Sequence, residues 1–159
     1  MSDYDEQAQQ MPKPDAALKR LDKFVGTWEM KGRTLDSQEE NVSGRVTYEW
    51  LPGGFFLQQR IELNFTNLEI RSLELVGYDP ETQGFSSLVY SNMSPVPLPY
   101  KWDVQGDELT ITVTYGPMDA TFKGKFSKDG DSFSGGWRPN PGADEIINAP
   151  YDIWGTRVK

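Results

Sequence analysis

A two-residue alternation of apolar and polar side chains runs through most of this 159-residue sequence and constrains its fold more than any other feature. In the clearest stretch, Leu109, Ile111 and Val113 alternate with threonines. This period is typical of β-strands with one buried face. About ten such segments follow Gly26, separated by turn-forming motifs such as Leu-Pro-Gly-Gly at 51–54. The sequence therefore predicts an all-β, antiparallel, up-and-down barrel, because closing a long meander removes its exposed edges.

The segment before the strands has a different period, which predicts one short N-terminal helix. Apolar side chains recur there at intervals of three and four residues, at Ala17, Leu18, Leu21, Phe24 and Val25. Asp15 provides an N-cap, and the stripe ends at Gly26. We expect this helix to pack on the sheet or across one end of the barrel. Residues 1–13 are polar and predict a flexible tail, so that residues 14–159 form one domain.

Composition excludes several classes of function. The formal net charge of −8 argues against nucleic acid and anionic membranes as partners, since phosphate binding needs a cationic face. The sequence has no Cys and no His, which removes thiolate nucleophiles, imidazole bases and the usual zinc and haem ligands. We therefore predict no catalytic residues, no metal and no cofactor. Without a recognisable leader or a run of about 20 apolar residues, a cytoplasmic location is expected.

The alternation also predicts which side chains face the interior of the barrel. An aromatic lining with a few hydroxyl groups suits a small, largely apolar ligand. The candidate ligand-binding residues are Tyr48, Trp50, Leu57, Gln59, Trp102, Ile111, Val113, Tyr115, Phe122, Trp137 and Tyr151. Further inward-facing residues are expected at Trp28, Met30, Ile61, Phe133 and Ile153. The plain alternative is that all these side chains simply fill the core.

In the fourth and fifth strands, the same alternation assigns Leu73, Leu75 and Gly77, and then Leu88 and Tyr90, to the apolar face. The charged residues within strands are then expected to face water and pair across strands. They are Arg45, Arg60, Glu62, Arg71 and Glu74.

Two connections are long or stiff enough to border an opening. Residues 92–99 carry three prolines, and residues 138–149 form a connection of about twelve residues that includes Asp144 and Glu145. We weigh a mouth or lid against ordinary ordered surface loops.

Both ends of the barrel sequence resemble the calycin superfamily of lipocalins and fatty-acid-binding proteins. The resemblance rests on Gly26-Thr27-Trp28 after the short helix and on Thr156-Arg157 in the last strand. It implies a barrel floor made of Gly26, Trp28 and Arg157, in which the guanidinium packs on the indole. The fatty-acid-binding subfamily is a poorer match, because residues 31–43 are too short for its helix pair and Lys159 stands where its carboxylate-binding Tyr would be.

A broader resemblance links the chain to an uncharacterised calycin-like family. It rests on the helix followed by Gly-Thr-Trp, on Trp-Leu-Pro-Gly-Gly-Phe-Phe at 50–56 and on Gly-Tyr-Asp-Pro at 77–80. The opening strand is also similar to that of the haem-binding barrel nitrobindin, but haem there depends on an axial His that this sequence lacks.

The sequence thus predicts a carrier or sensor that binds a small apolar molecule inside a barrel. Two alternatives stay open: a protein-interaction module with a filled barrel, and a His-independent isomerase or cyclase acting on an apolar substrate. The sequence makes no prediction about oligomeric state.

Overall fold

The computed structural model describes residues 11–159, which form one short helix and ten strands closed into an antiparallel barrel. The N-terminal helix is a 3₁₀ helix, Ala16–Phe24. The strands are β1 Gly26–Thr34, β2 Val42–Trp50, β3 Phe56–Phe65, β4 Leu68–Asp79, β5 Gly84–Ser91, β6 Leu98–Gln105, β7 Glu108–Tyr115, β8 Met118–Phe126, β9 Ser132–Pro139 and β10 Tyr151–Arg157.

Each strand pairs with its neighbours in sequence, and β10 pairs with β1 to close the barrel. The predicted all-β, up-and-down barrel with one N-terminal helix is therefore confirmed. The predicted tail at residues 1–13 falls largely on residues 1–10, which lie outside the described part of the chain.

The N-terminal helix covers one end of the barrel with a single row of side chains. Its buried residues, Leu18, Leu21 and Phe24, are spaced by three. A 3₁₀ helix has three residues per turn, so these side chains lie directly above one another. The Asp15 side chain caps the helix by accepting the Ala17 N–H at 2.9 Å. Val25, predicted on the same stripe, follows the helix and is 37% exposed, so this part of the prediction is wrong.

Phe24 is the residue by which the helix fills this end of the barrel. Its ring centroid lies 5.3 Å from that of Tyr48 on β2, 5.4 Å from that of Trp102 on β6 and 4.9 Å from that of Phe126 on β8. These strands lie on different sides of the barrel. A single side chain from the helix therefore contacts three strands that are not paired with one another.

Arg157, on β10, closes the same end beneath the helix. Its guanidinium carbon lies 4.3 Å from the centroid of the Trp28 ring, within the range of cation–π contact. Its Nη2 donates to the backbone oxygens of Lys23 at 2.8 Å and Gly130 at 3.1 Å. Gly26 leaves room for the guanidinium: its φ is +127°, and a Cβ there would lie 2.7 Å from Nη1 of Arg157. The arrangement corresponds to the floor that the resemblance implied.

Replacing Arg157 with Lys should lower the free energy of unfolding by about 1–2 kcal/mol, because an ammonium cannot serve several diverging acceptors and also stack on the indole. Arg45→Lys is the matched control. Arg45 donates to Glu29 at 3.0 Å on the open surface, and its replacement should cost less than about 0.5 kcal/mol. Urea unfolding followed by tryptophan fluorescence measures both changes. Equal effects would show that the floor contributes no more than a surface pair.

The inner and outer faces of β4 and β5 are the reverse of those predicted. Leu88 and Tyr90 are 43% and 49% exposed, and they stand opposite the outward-facing Leu75 and Leu73. The inner face of β4 instead carries Glu74 and Val76 among its residues. The expected placement of the apolar face on these two strands is therefore wrong, and the outer wall bears an exposed apolar strip at this point.

Candidate functional site

Burial inside the barrel changes from one end to the other. Beside the N-terminal helix, the inward-facing Leu57, Val76 and Phe85 have no exposed surface. Towards the opposite end most inward-facing side chains, such as Ile61 and Trp137, are only partly buried, while Val42 and Val113 are buried there. Residues of a fully packed core leave no surface accessible to a water-sized probe. The half of the barrel away from the helix is therefore the more open half, and we call its end the mouth.

Both long connections lie at the mouth. Residues 92–97 join β5 to β6 and residues 140–150 join β9 to β10, at the end where β3 stops and β10 starts. Asp144 accepts the backbone N–H groups of Ile146 at 2.7 Å and Ile147 at 3.0 Å, which orders the second loop and leaves Ile146 90% exposed. The topology thus places both loops at the same end of the barrel.

Aromatic side chains from opposite walls narrow the mouth. The rings of Phe65 and Tyr151 are 4.9 Å apart, and those of Tyr100 and Trp137 are 5.9 Å apart. In each pair the two strands are separated by two others, so the contact crosses the interior. A molecule that passes between them must be slim or must displace a ring.

A row of polar side chains crosses the inner wall below these rings. Tyr48, Gln59 and Glu74 occupy directly paired positions on β2, β3 and β4. Directly paired residues point to the same face of a sheet, so all three project inward. Gln59 is 7% exposed, and its Nε2 donates to the Tyr48 hydroxyl at 2.7 Å.

Glu74 is a buried carboxyl group, 5% exposed. Its Oε2 accepts the Ser87 hydroxyl at 2.5 Å and the Trp102 Nε1–H at 3.0 Å. None of the ion pairs formed by residues 11–159 includes Glu74. Burial raises the pKa of Glu74 from 4.5 to about 7, against the opposing effect of the two hydrogen bonds. The expectation that Glu74 faces water is wrong.

The phenols around Glu74 stay neutral over the range in which it titrates. Burial, and then the charge of Glu74, raises the pKa of Tyr100 to about 12. Burial raises the pKa of Tyr48 and of Tyr151 further above the ordinary value of 10. Glu74 is thus the group whose charge changes near neutral pH in this part of the interior.

Gln59 supplies the second polar feature of the row. Its Oε1 is buried and has no hydrogen-bond partner among the described residues. A buried amide oxygen without a partner costs about 1–3 kcal/mol. Gln59 and Glu74 are direct cross-strand neighbours, so their side-chain oxygens project from adjacent points of one wall.

Most of the residues predicted to bind a ligand line the interior, but not all. Those whose side chains belong to the inner core or pack against it are Tyr48, Trp50, Leu57, Gln59, Trp102, Ile111, Val113, Phe122, Trp137 and Tyr151. Trp50 packs at the helix end, where its Nε1 donates to Asp22 at 2.9 Å. Tyr115 is the last residue of β7 and lies on the same face as Val113, but at the rim, where it is 46% exposed.

Sequence reasoning assigned Glu74 to the wrong face and did not select Ser87 or Tyr100 as site residues. The structure shows what sets the position of Glu74: the two-residue turn Thr66–Asn67, with φ values of 48° and 73°, joins β3 to β4. Such a turn places Phe65 opposite Leu68, and counting back along the hairpin brings Glu74 opposite Gln59. Ser87 follows from the next hairpin in the same way.

The other charged strand residues face outward as predicted: Arg45, Arg60, Glu62 and Arg71 are exposed. They border two open depressions of about 280 and 340 Å³ on the outer wall of the barrel, between β2 and β5. The described part of the chain gathers no cluster of three carboxylates that could hold a metal ion. No helix formed by residues 11–159 has the length and apolar character needed to cross a membrane.

Fold and site together define a single antiparallel barrel with a helix at one end and a buried carboxyl group in its wall. The chain belongs to the family DUF1579, described as a protein of unknown function, whose model matches residues 13–130. No protein with a curated description matches the sequence.

Among solved structures, the chain is similar to Rv2717c from M. tuberculosis, with 12% identity and a TM-score of 0.59. The match covers 92% of this chain and 100% of Rv2717c. At this identity the likeness shows the fold alone.

Proposed function

We propose that this protein binds a small, largely apolar molecule inside its barrel and acts as a carrier or sensor. The observation that carries the proposal is the contrast in burial: the interior is packed beside the N-terminal helix and partly accessible towards the mouth. A closed barrel of this size has room for one small ligand. The aromatic rings that cross the mouth favour a slim molecule over a bulky one.

We also propose that the barrel is a calycin-like one. The support is the helix that covers the end of the barrel and the contact of Arg157 with Trp28 beneath it. In this arrangement a ligand reaches the interior from the mouth alone, since the opposite end is filled by Phe24 and closed by Arg157.

Binding is tested with a neutral hydrophobic dye such as Nile red, together with mass spectrometry of the purified protein under native conditions for retained small molecules. We expect saturable dye fluorescence with one site per chain. Absence of both dye binding and any retained molecule would contradict the proposal.

Val89→Trp should weaken dye binding about tenfold or more, because the indole would occupy the interior beside the polar row. Val89 stands directly opposite Glu74 on the inner wall. Leu88→Trp is the matched control: it adds the same indole one position along β5, where the side chain is exposed. Fluorescence titration of both variants with the dye distinguishes binding inside the barrel from binding on its outer face. Equal weakening by both would locate the dye outside the barrel.

A second candidate is an isomerase or cyclase in which Glu74 moves a proton. The observation in its favour is a carboxyl group with a pKa of about 7 in an apolar interior, the range in which a general acid or base works best. If a retained ligand is incubated with the protein in heavy water, the enzyme would introduce deuterium at carbon and Glu74→Gln would not. A ligand recovered without deuterium counts against this candidate.

The interaction module is less well supported, since the filled barrel it assumes does not account for the partly exposed interior.

A further inference from the structure

Two oxygen atoms on adjacent positions of the inner wall are available as hydrogen-bond acceptors. One is Oε1 of Gln59, buried without a partner among the described residues. The other is Oε1 of Glu74, since both hydrogen bonds to that carboxyl group go to Oε2. Gln59 on β3 and Glu74 on β4 are directly paired and point to the same face of the sheet. The Cβ atoms of such a pair lie about 4.5–5.5 Å apart. One donor group with several hydrogens spans such a distance.

The charge of the site points to the same kind of donor. Glu74 has no cationic partner among residues 11–159. A buried carboxylate is stabilised when an opposite charge approaches it and destabilised by a like charge. The side chains around it are Tyr48 on β2, Gln59 on β3, Ser87 and Val89 on β5 and Tyr100 and Trp102 on β6, and none of these carries a positive charge.

We propose that the ligand is a slim apolar molecule ending in a protonated amine, held by the Glu74 carboxylate and Gln59 Oε1. This inference rests on the proposed function, because it assumes that a ligand enters the barrel. The ammonium would donate to both oxygens while its hydrocarbon part lies against the aromatic rings towards the mouth. Above about pH 7, where Glu74 is ionised, its charge repels a fatty-acid carboxylate from the same position.

The test compares three ligands of equal chain length, dodecylamine, dodecanol and dodecanoate, as competitors of Nile red below their critical micelle concentrations. At about pH 8, where Glu74 is ionised and the amine is still protonated, the amine should compete at least about tenfold better than the carboxylate, with the alcohol between them. The amine's affinity should rise as pH rises through about 7, where Glu74 loses its proton. The tyrosines stay protonated over that range and do not contribute.

Two interior variants and one control make the test specific. Glu74→Gln keeps the size of the side chain and should reduce the preference for amine over alcohol to about twofold or less, with no pH dependence near neutrality. Gln59→Leu should lower the affinity for the amine about threefold to tenfold and lower the affinity for the alcohol less. Glu69→Gln removes one negative charge from the exposed face of β4 and should change nothing.

The outcomes separate this inference from the proposed function. If Nile red binds but the carboxylate competes as well as the amine, the inference is overturned and the binding function stands. The same holds if Glu74→Gln keeps the amine preference. If the protein binds neither the dye nor any of the three ligands, the proposed function fails and the inference fails with it.

Discussion

Replacing Glu74 with Gln should raise the free energy of unfolding by up to about 3 kcal/mol at pH 8 and leave it nearly unchanged at pH 4. The reason is the raised pKa of this group, about 7 in the folded protein against an ordinary value of 4.5. A folded state that holds its proton more tightly than the unfolded state is favoured at low pH. The stability that the protonated group contributes is complete below pH 4.5, falls as pH rises to about 7 and is absent above that value.

Urea unfolding at intervals of pH, followed by tryptophan fluorescence, measures this effect. The native protein should lose stability between about pH 4.5 and 7. The control Glu69→Gln should keep most of this loss, whereas Glu74→Gln should lack it. Ser87 and Trp102 still have an acceptor in the amide oxygen of the variant, so their hydrogen bonds are kept. If the two variants show the same pH profile, Glu74 titrates like a surface carboxylate and is not buried as described.

Phe24→Ala should destabilise the protein by about 3–5 kcal/mol, the usual cost of removing a buried phenyl ring. Phe24 is buried, and its ring contacts aromatic rings on three strands that do not pair with one another. Its loss leaves a cavity beside Tyr48 and removes the contact by which the helix holds these walls together. We also expect faster proteolysis of the N-terminal segment, because Leu18 and Leu21 alone would hold the helix less firmly.

The control for this experiment is the next residue. Val25→Ala shortens an exposed side chain and should change stability by less than about 0.5 kcal/mol. Thermal or urea unfolding of both variants, with near-ultraviolet circular dichroism to report on aromatic packing, distinguishes them. A loss below about 1 kcal/mol for Phe24→Ala would show that the barrel is stable without its helix.

The destabilising position of Glu74 is itself informative about function. A buried ionisable group without a counter-charge weakens the folded state, and a hydrophobic residue of similar size would not. Natural proteins leave buried polar groups without partners mainly at functional sites. The unpartnered Oε1 of Gln59, one strand away, is a second departure of the same kind. Both lie on the inner wall, and the proposed ligand would supply hydrogen-bond donors to both.

The prediction of which face of β4 and β5 points inward is wrong because both faces of these strands carry apolar residues. In β4, Leu73 and Leu75 alternate with a face that includes Val76 as well as Glu74. Hydrophobic alternation then gives no unique answer, and the choice of face depends on register. A shift of one residue exchanges the two faces. The two-residue turn at Thr66–Asn67 sets that register, but its residues are not a strong turn motif in the sequence.

Tyr115 and Val25 are more exposed than predicted for a simpler reason, since the first is the last residue of its strand and the second follows the end of the helix. Val113 faces inward and is buried, but β7 ends two residues later at the rim. Phe24 lies on the buried row of the helix, but the helix ends with it. Periodicity predicts the face of a residue only while the element lasts.

The sequence by itself determined the fold class, the approximate number and the order of the strands, and the helix before them. These features depend on local patterns, on turn residues and on the rule that a long meander closes its own edge. The composition of the polar row was decided by the tertiary structure alone. Glu74 and Gln59 are fifteen positions apart in the sequence, and only the pairing of β3 with β4 inside a closed barrel makes them buried neighbours, with no cationic partner for Glu74 among residues 11–159.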